Sequence, residues 1–288
     1  MEITLGVVLA LTALIGWGGG DFLIQRTTRL VGSAKALFFI GVVAFVGLTP
    51  FVIDDLPLLS LTDLLLLCVV SLVVMIGAAF DFEALRKGKM AIVEPVVGLE
   101  LPMAVALSVV FVGDHLSPLE WLFMVFIFLG TLLVVTRSVK HLSTHLLEKG
   151  VWLAFLAAIG TALTSVMIGV ASKEISPLVS VWFSHGALAL VSGFAILVSG
   201  GFKTILRDIR KHPITIGAQS ILDNAAWITF AFATTYIPIS VATAISGGYV
   251  AFAVMLGIFI NKEKIRHHQL AGIVAVSIGI VVLSYLYT

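Results

Sequence analysis

Glu100 and Asp223 stand near the middle of long apolar runs. A charge at that depth in a bilayer costs roughly 2.5–3.5 kcal/mol on insertion scales. Keeping acids at that cost points to chemistry, a cation bound there or a proton taken up and released, with a structural hydrogen bond to a neighbouring helix as the alternative. Glu94 lies one and a half turns nearer one end of the run that holds Glu100, while Asp21, Asp81 and Glu83 fall at run ends, where an interfacial position or pairing with Arg26 or Arg86 would also account for them. Gln219, Asp223, Trp227 and Phe230 recur at steps of four, four and three, hence on one helical face. Trp17 and Asp21 repeat the pairing of a ring with an acid. A ring face beside a carboxylate suits a cationic or aromatic ligand, although bulky rings also simply pack helices together.

Weaker polar signals surround these. Ser240, Thr243 and Gly247 form a small, faintly polar stripe with Ser246 and Tyr249 nearby, and such stripes serve close helix contacts as readily as binding. Thr161 and Ser165 mirror Trp17 and Asp21 and take the same two readings. His185 can share a proton with an acid, its ordinary pKa being about 6.5, or act as hydrogen-bonded packing. Pro95 follows Glu94 directly; a proline inside a helix frees a carbonyl one turn back, which makes it a candidate hinge.

Other chemistries find no support. The chain has no His-Glu-x-x-His, no Gly-x-Ser-x-Gly and no Cys/His couple, so an intramembrane enzyme is not expected. His141 and His145 have ligand spacing but no matching acid or cysteine, so neither a metal nor another cofactor is expected. Gly16 to Gly20 is not a phosphate loop, because no Gly-Lys-Ser/Thr follows it. The single cysteine, Cys68, reads as a small buried hydrophobe, and a net charge of +1 gives no reason to expect nucleic acid.

The elements that must carry these groups are apolar helices. Of 288 residues 60% are hydrophobic and only 11% charged, against about 25% charged in soluble domains. A transmembrane helix needs roughly 20 apolar residues, and ten runs qualify: 3–24, 33–53, 64–83, 90–112, 119–136, 151–171, 178–199, 213–233, 237–260 and 268–287. The expected fold class is therefore an all-α membrane protein of ten transmembrane helices. Connections are short, the longest being 137–150 and 200–212. The acidic Met1-Glu2 start argues for a permanent first helix over a cleaved signal.

Charge placement orients the runs. The odd-numbered connections hold nearly all the basic residues, among them Arg26, Arg86, Arg137, Arg207 and Lys262, and the other face has only Lys173 of the 17 Lys/Arg. The positive-inside rule then places both termini outside the cytoplasm. A plasma (inner) membrane is the expected location.

An internal repeat is also legible. At an offset of 149 Ala84 meets Ala233, Gly98 meets Gly247, Asp114 meets Glu263 and Gly130 meets Gly279, while at 144 Ala10, Ala13 and Gly16 meet Ala154, Ala157 and Gly160. Each half has five runs, an odd number, so the second copy must cross the membrane in the opposite sense. Loop charges agree: Asp114 and Glu120 stand where the other half has Lys262, Lys264 and Arg266. The expected organisation is two inverted five-helix repeats, 1–137 and 151–288, joined by a cytoplasmic connector at 138–150, with the site near the midplane between them.

With these features the chain resembles the drug/metabolite transporter superfamily, EamA type. The likeness rests on Trp17-Gly18, Asp21-Phe22 and Arg26; on Ala84-Leu85; on Ala91, Pro95 and Pro102; on the turns Gly113 to Leu116 and Asn261 to Ile265; and on Gly130 and Gly279. The resemblance implies a ten-helix basket around a central cavity with alternating access, lined by the first, third, fourth, sixth, eighth and ninth helices, with the fifth and tenth bracing the outside. It implies a secondary transporter, an exporter of an amino acid derivative or an amphipathic cation, with Glu100 and Asp223 exchanging protons or meeting a cationic group. An intramembrane enzyme and a non-transporting scaffold or sensor are the alternatives. Expected partners are a small solute, protons and the lipid bilayer, with the chain acting as a monomer or homodimer.

Overall fold

A computed structural model describes residues 2–88, 93, 96–135, 150–252, 255 and 266–287. In chain order its helices are α1 (Glu2–Val31), α2 (Ser33–Val52), α3 (Leu61–Lys87), α4 (Glu100–Leu107), α5 (Pro118–Val135), α6 (Val151–Glu174), α7 (Pro177–Val198), α8 (Phe202–Lys211), α9 (Pro213–Tyr236), α10 (Ile239–Ser246) and α11 (His267–Leu286). No strand occurs among the described residues. Six helices (α1, α2, α3, α6, α7 and α11) are long and apolar enough to cross a membrane. Helix α9 has 24 residues, but Gln219, Asp223 and Asn224 interrupt its apolar run. The expected spans 90–112 and 237–260 run partly outside the described residues, as do Glu94, Pro95, His141, His145 and most of the connector. Apolar side chains such as Phe51, Leu190, Phe194 and Ile214 are exposed on the outer surface, where a bilayer would cover them. Cys68 lies on this exposed surface and not in the core as expected, because its helix turns that face outward.

The packing has a two-fold pattern. The most extensive interfaces are α1 with α9, α3 with α6, α2 with α7, and α5 with α11. Exchanging each helix of the first half for its counterpart in the second turns α1·α9 into α6·α3 and leaves the other two pairs unchanged. Lesser interfaces obey the same exchange: α3·α7 goes with α9·α2, and α4·α6 with α10·α1. Small residues set the crossings. A Cβ on Gly160 would lie 2.4 Å from the Gly77 Cα, and one on Gly16 would lie 2.9 Å from the Ala226 Cβ; the offsets of 144 and 149 relate these two crossings to each other. A Cβ on Gly130 would meet the Gly272 carbonyl at 2.9 Å, and one on Gly279 the Phe123 carbonyl at 3.2 Å. Small residues let helix backbones approach closely, which is how helices gain contact in lipid, where burial from water gives no drive.

The two ends of the bundle differ in charge. At one end Lys35 Nζ donates to Asp208 Oδ2 at 2.6 Å, Ser33 Oγ donates to Glu83 at 2.9 Å, and Arg29 donates to the Gly88 carbonyl at 3.0 Å. Glu83 also pairs with Arg86 and Lys87. At the other end Asp114 Oδ2 accepts from Ser240 N at 2.8 Å and Ser240 Oγ at 2.7 Å, capping α10 from the opposite half, and Tyr287 donates to Glu120.

Helix α8 lies in the 200–212 connection, where sequence alone gave only a link. It is amphipathic: Phe202, Leu206 and Ile209 are exposed along one stripe beside Lys203, Arg207 and Arg210, the form of a helix lying in a membrane interface. Its inner side is held to α2 by Lys35, which reaches both Asp208 and Thr204. Burial alone would raise the Asp208 pKa, but the bond and charge of Lys35 more than offset it, so the carboxyl sits below its ordinary value. A depressed folded-state pKa gives stability that is complete above the ordinary carboxylate range and is lost as pH falls through the folded value. Acidification below about pH 4 is therefore expected to loosen α8. Asp208→Asn should lower the neutral-pH thermal midpoint and flatten its fall with acid.

Candidate functional site

The helices enclose a central cavity of about 110 Å³. By this measure one water needs about 10–15 Å³, so several waters or part of a small solute fit. Asp21 and Trp17 come from α1, Asp81 from α3, Glu100 from α4, His185 from α7, and Asp223 and Trp227 from α9. Four carboxylates thus face one space, and no Lys or Arg is found among its described lining residues. Ser246 and Tyr249 also line it, as do Thr161, Thr164 and Ser165 of α6. No group of three or more His, Cys, Asp or Glu among the described residues is placed to hold a metal ion.

Each acid has a local reason for its position. Glu100 stands in the first turn of α4, and its Oε1 accepts from Ser165 Oγ at 2.9 Å. Asp223 Oδ2 lies 4.0 Å from His185 Nε2, both side chains being nearly fully buried. His185 Nδ1 is 3.0 Å from the Val181 carbonyl, one turn earlier in α7. A Cβ on Gly41 of α2 would lie 2.6 Å from the His185 carbonyl, so the α2·α7 crossing fixes the histidine's backbone.

Rings stand beside these polar groups. Trp17 packs against Trp227 at 4.9 Å, Phe230 at 5.5 Å and Tyr249 at 6.4 Å between ring centroids, and Trp227 stands 6.5 Å from the His185 ring. The offset of 149 pairs Asp81 with Phe230 and Glu100 with Tyr249. Two acids of the first half thus correspond to two rings of the second, so a symmetric scaffold carries asymmetric chemistry.

The cavity coincides with two helix breaks. The chain turns at Gly98–Leu99, just before Glu100, and at Gly247–Gly248, just before Tyr249. The breaks match bond for bond: Leu99 N to Val96 O and Met103 N to Leu99 O at the first, Gly248 N to Ile245 O and Phe252 N to Gly248 O at the second. Broken helices at membrane depth are tolerated where they are buried in protein or line a cavity.

Most sequence candidates meet here: Trp17, Asp21, Glu100, His185, Asp223, Trp227, Ser246 and Tyr249. Gln219 does not line the cavity. Its amide donates to the Ala36 carbonyl at 3.2 Å, and with Asn224, which donates to Ile40 O at 3.0 Å, it clamps α9 to α2. Glu94 and Pro95 lie outside the described residues. Asp21 and Asp81, for which an interfacial position was the other reading, both line the cavity. That reading holds for Glu83, which pairs with Arg86 as considered. The expected set of six lining helices was also too narrow: α2, α7 and Thr131 of α5 contribute. Sequence reasoning missed Thr131 and Thr164, whose hydroxyl oxygens are buried without a hydrogen-bond partner; a lone threonine in an apolar run gives no signal, because it usually satisfies itself on its own helix.

Comparison with known proteins agrees with this architecture. The model of the EamA-like transporter family matches the chain twice, over residues 4–136 and 148–285. The chain belongs to that family, part of the drug/metabolite transporter superfamily, and is a multi-pass membrane protein. Members of the family are transporters. A crystal structure of a protein 14% identical to this chain superposes with a TM-score of 0.73, covering 98% of this chain and 96% of the other, a likeness of fold alone. No curated protein matches the chain.

Proposed function

We propose that this protein is a secondary transporter that exports a small organic cation by alternating access and exchanges it for protons at Glu100 and Asp223. The observation that carries this is the lining of the cavity: Asp21, Asp81, Glu100 and Asp223 share it with Trp17, Trp227 and Tyr249, and no Lys or Arg is among the described lining residues. A negative, ring-walled space attracts a cation by charge and by the ring faces. An amino acid derivative with a free carboxylate finds no cationic partner there, which places amphipathic amines ahead of it. Thr131 and Thr164, with unsatisfied buried hydroxyls at the cavity, support a space that takes up water or solute. The paired breaks at Gly98 and Gly247 support a moving centre, and the exchange-related interfaces support two halves that cross the membrane in opposite senses. The end bearing Lys35, Arg86 and Arg207 is assigned to the cytoplasm of a plasma membrane, and both termini to the other side. The working unit is taken as a monomer or homodimer.

The test is flux in proteoliposomes of purified protein. Phenethylamine and tetraphenylphosphonium should move across the membrane, and an opposing pH gradient should drive at least one of them uphill. Stabilisation by neutral or anionic solutes alone, with no cation flux, would overturn the reading.

A further inference from the structure

His185 and Asp223 define a narrower specificity than cation binding, and the inference rests on the cation reading above. A backbone carbonyl can only accept, so the 3.0 Å contact with Val181 O favours the Nδ1–H form of a neutral His185; the Ser184 hydroxyl 3.3 Å from Nδ1 already donates to the Ser180 carbonyl at 2.8 Å. Nε2 then carries a bare lone pair 4.0 Å from Asp223 Oδ2, a second acceptor. Four ångströms is too long for a direct hydrogen bond and leaves two acceptors facing each other. A nitrogen about 2.8 Å from both would see them about 90° apart, close to the spread of two N–H bonds on a tetrahedral ammonium. Trp227, beside the His185 ring, and Trp17, packed on Trp227, supply apolar surface near the carbon that bears the nitrogen.

We infer that His185 and Asp223 form a two-acceptor cradle for an ammonium group carrying at least two N–H bonds, so that primary and secondary amines gain a hydrogen bond there that tertiary and quaternary cations cannot make. The cradle also competes with protons. Once Nε2 is protonated it has no lone pair left to accept an N–H bond and repels a cation, so amine and proton exclude one another at one place. Other groups face the same space: Asp81 from α3, Asp21 from α1, Glu100 from α4 and Tyr249 beyond α10, while α2 contributes only Leu37 and Ile40 and α6 only hydroxyls. Their charge favours any cation. Only the His185–Asp223 pair counts N–H bonds.

The experiment measures binding of phenethylamine and its N-methyl, N,N-dimethyl and N,N,N-trimethyl derivatives to the full-length protein, by tryptophan fluorescence and thermal stabilisation. A charge-assisted hydrogen bond contributes enough that losing one should weaken binding at least about tenfold. The expected result is a step of that size between the N-methyl and N,N-dimethyl compounds. His185→Leu should erase the step, and its elution profile in mild detergent reports whether it has folded. If His185→Leu does not fold, the wild-type series decides by itself. Equal binding of all four compounds, or a step that survives in folded His185→Leu, overturns the cradle while leaving cation transport standing. Binding of none of the four, nor of tetraphenylphosphonium, overturns the cation reading instead.

Discussion

Asp223→Asn is expected to reduce amine flux in proteoliposomes by roughly thirtyfold or more, corresponding to about 2 kcal/mol or more for a buried charge pair. The substitution keeps the side chain's shape, so the α1·α9 interface and the clamps from Gln219 and Asn224 to α2 should survive. What changes is chemistry. An amide neither carries the charge that meets the substrate nor exchanges a proton, and turning its NH₂ toward His185 would replace one of the two acceptors with a donor. Glu100→Gln acts differently, since Ser165 can still donate to the amide oxygen. Binding should persist in that variant while flux driven by a pH gradient falls. The double variant should show no gradient-driven flux above empty vesicles. If both single variants retain full coupled flux, the carboxylate mechanism is wrong.

The second large effect is structural. Gly160→Val is expected to prevent accumulation of folded, monodisperse protein, because the added Cβ would lie 2.4 Å from the Gly77 Cα. The obstacle is backbone, which cannot swing aside as a side chain does. Overpacking usually costs about 1–3 kcal/mol, and a backbone clash at a principal interface should reach about 3 kcal/mol or more. Gly77→Val should do the same from the facing helix, whereas Gly47→Ala and Gly217→Ala, where an added Cβ meets nothing within 4 Å, should behave like wild type. Yield and elution profile in mild detergent read the outcome. A well-folded Gly160→Val protein would mean that α3 and α6 can separate at little cost.

The acids and rings of the site were legible because of what they cost. Glu100, Asp223 and His185 stand out in apolar runs, since lipid would not hold them without partners. Asp81 was misjudged from its nearness to Arg86: α3 continues to Lys87, which carries the basic residues beyond the cavity and leaves Asp81 facing it. Gln219 shares a helical face with Asp223, yet the close approach of α2 gives its amide the Ala36 carbonyl instead. Helix α8 was hidden because four basic residues in ten made its segment look like a solvated link. Its apolar stripe has meaning only beside a membrane surface.

Hydropathy, charge placement and the 149-residue offset determine by themselves that this chain is a helical membrane protein built from two related halves, since each is a property of residue order. Which polar groups converge was decided by the tertiary structure alone. Spacing along one helix fixes a face, but only the crossing of helices at Gly77, Gly160 and Gly41 brings Asp81, Glu100, His185 and Asp223 to one cavity. The 4.0 Å gap between His185 and Asp223 follows from the distance between two helix axes, a quantity that no single segment encodes.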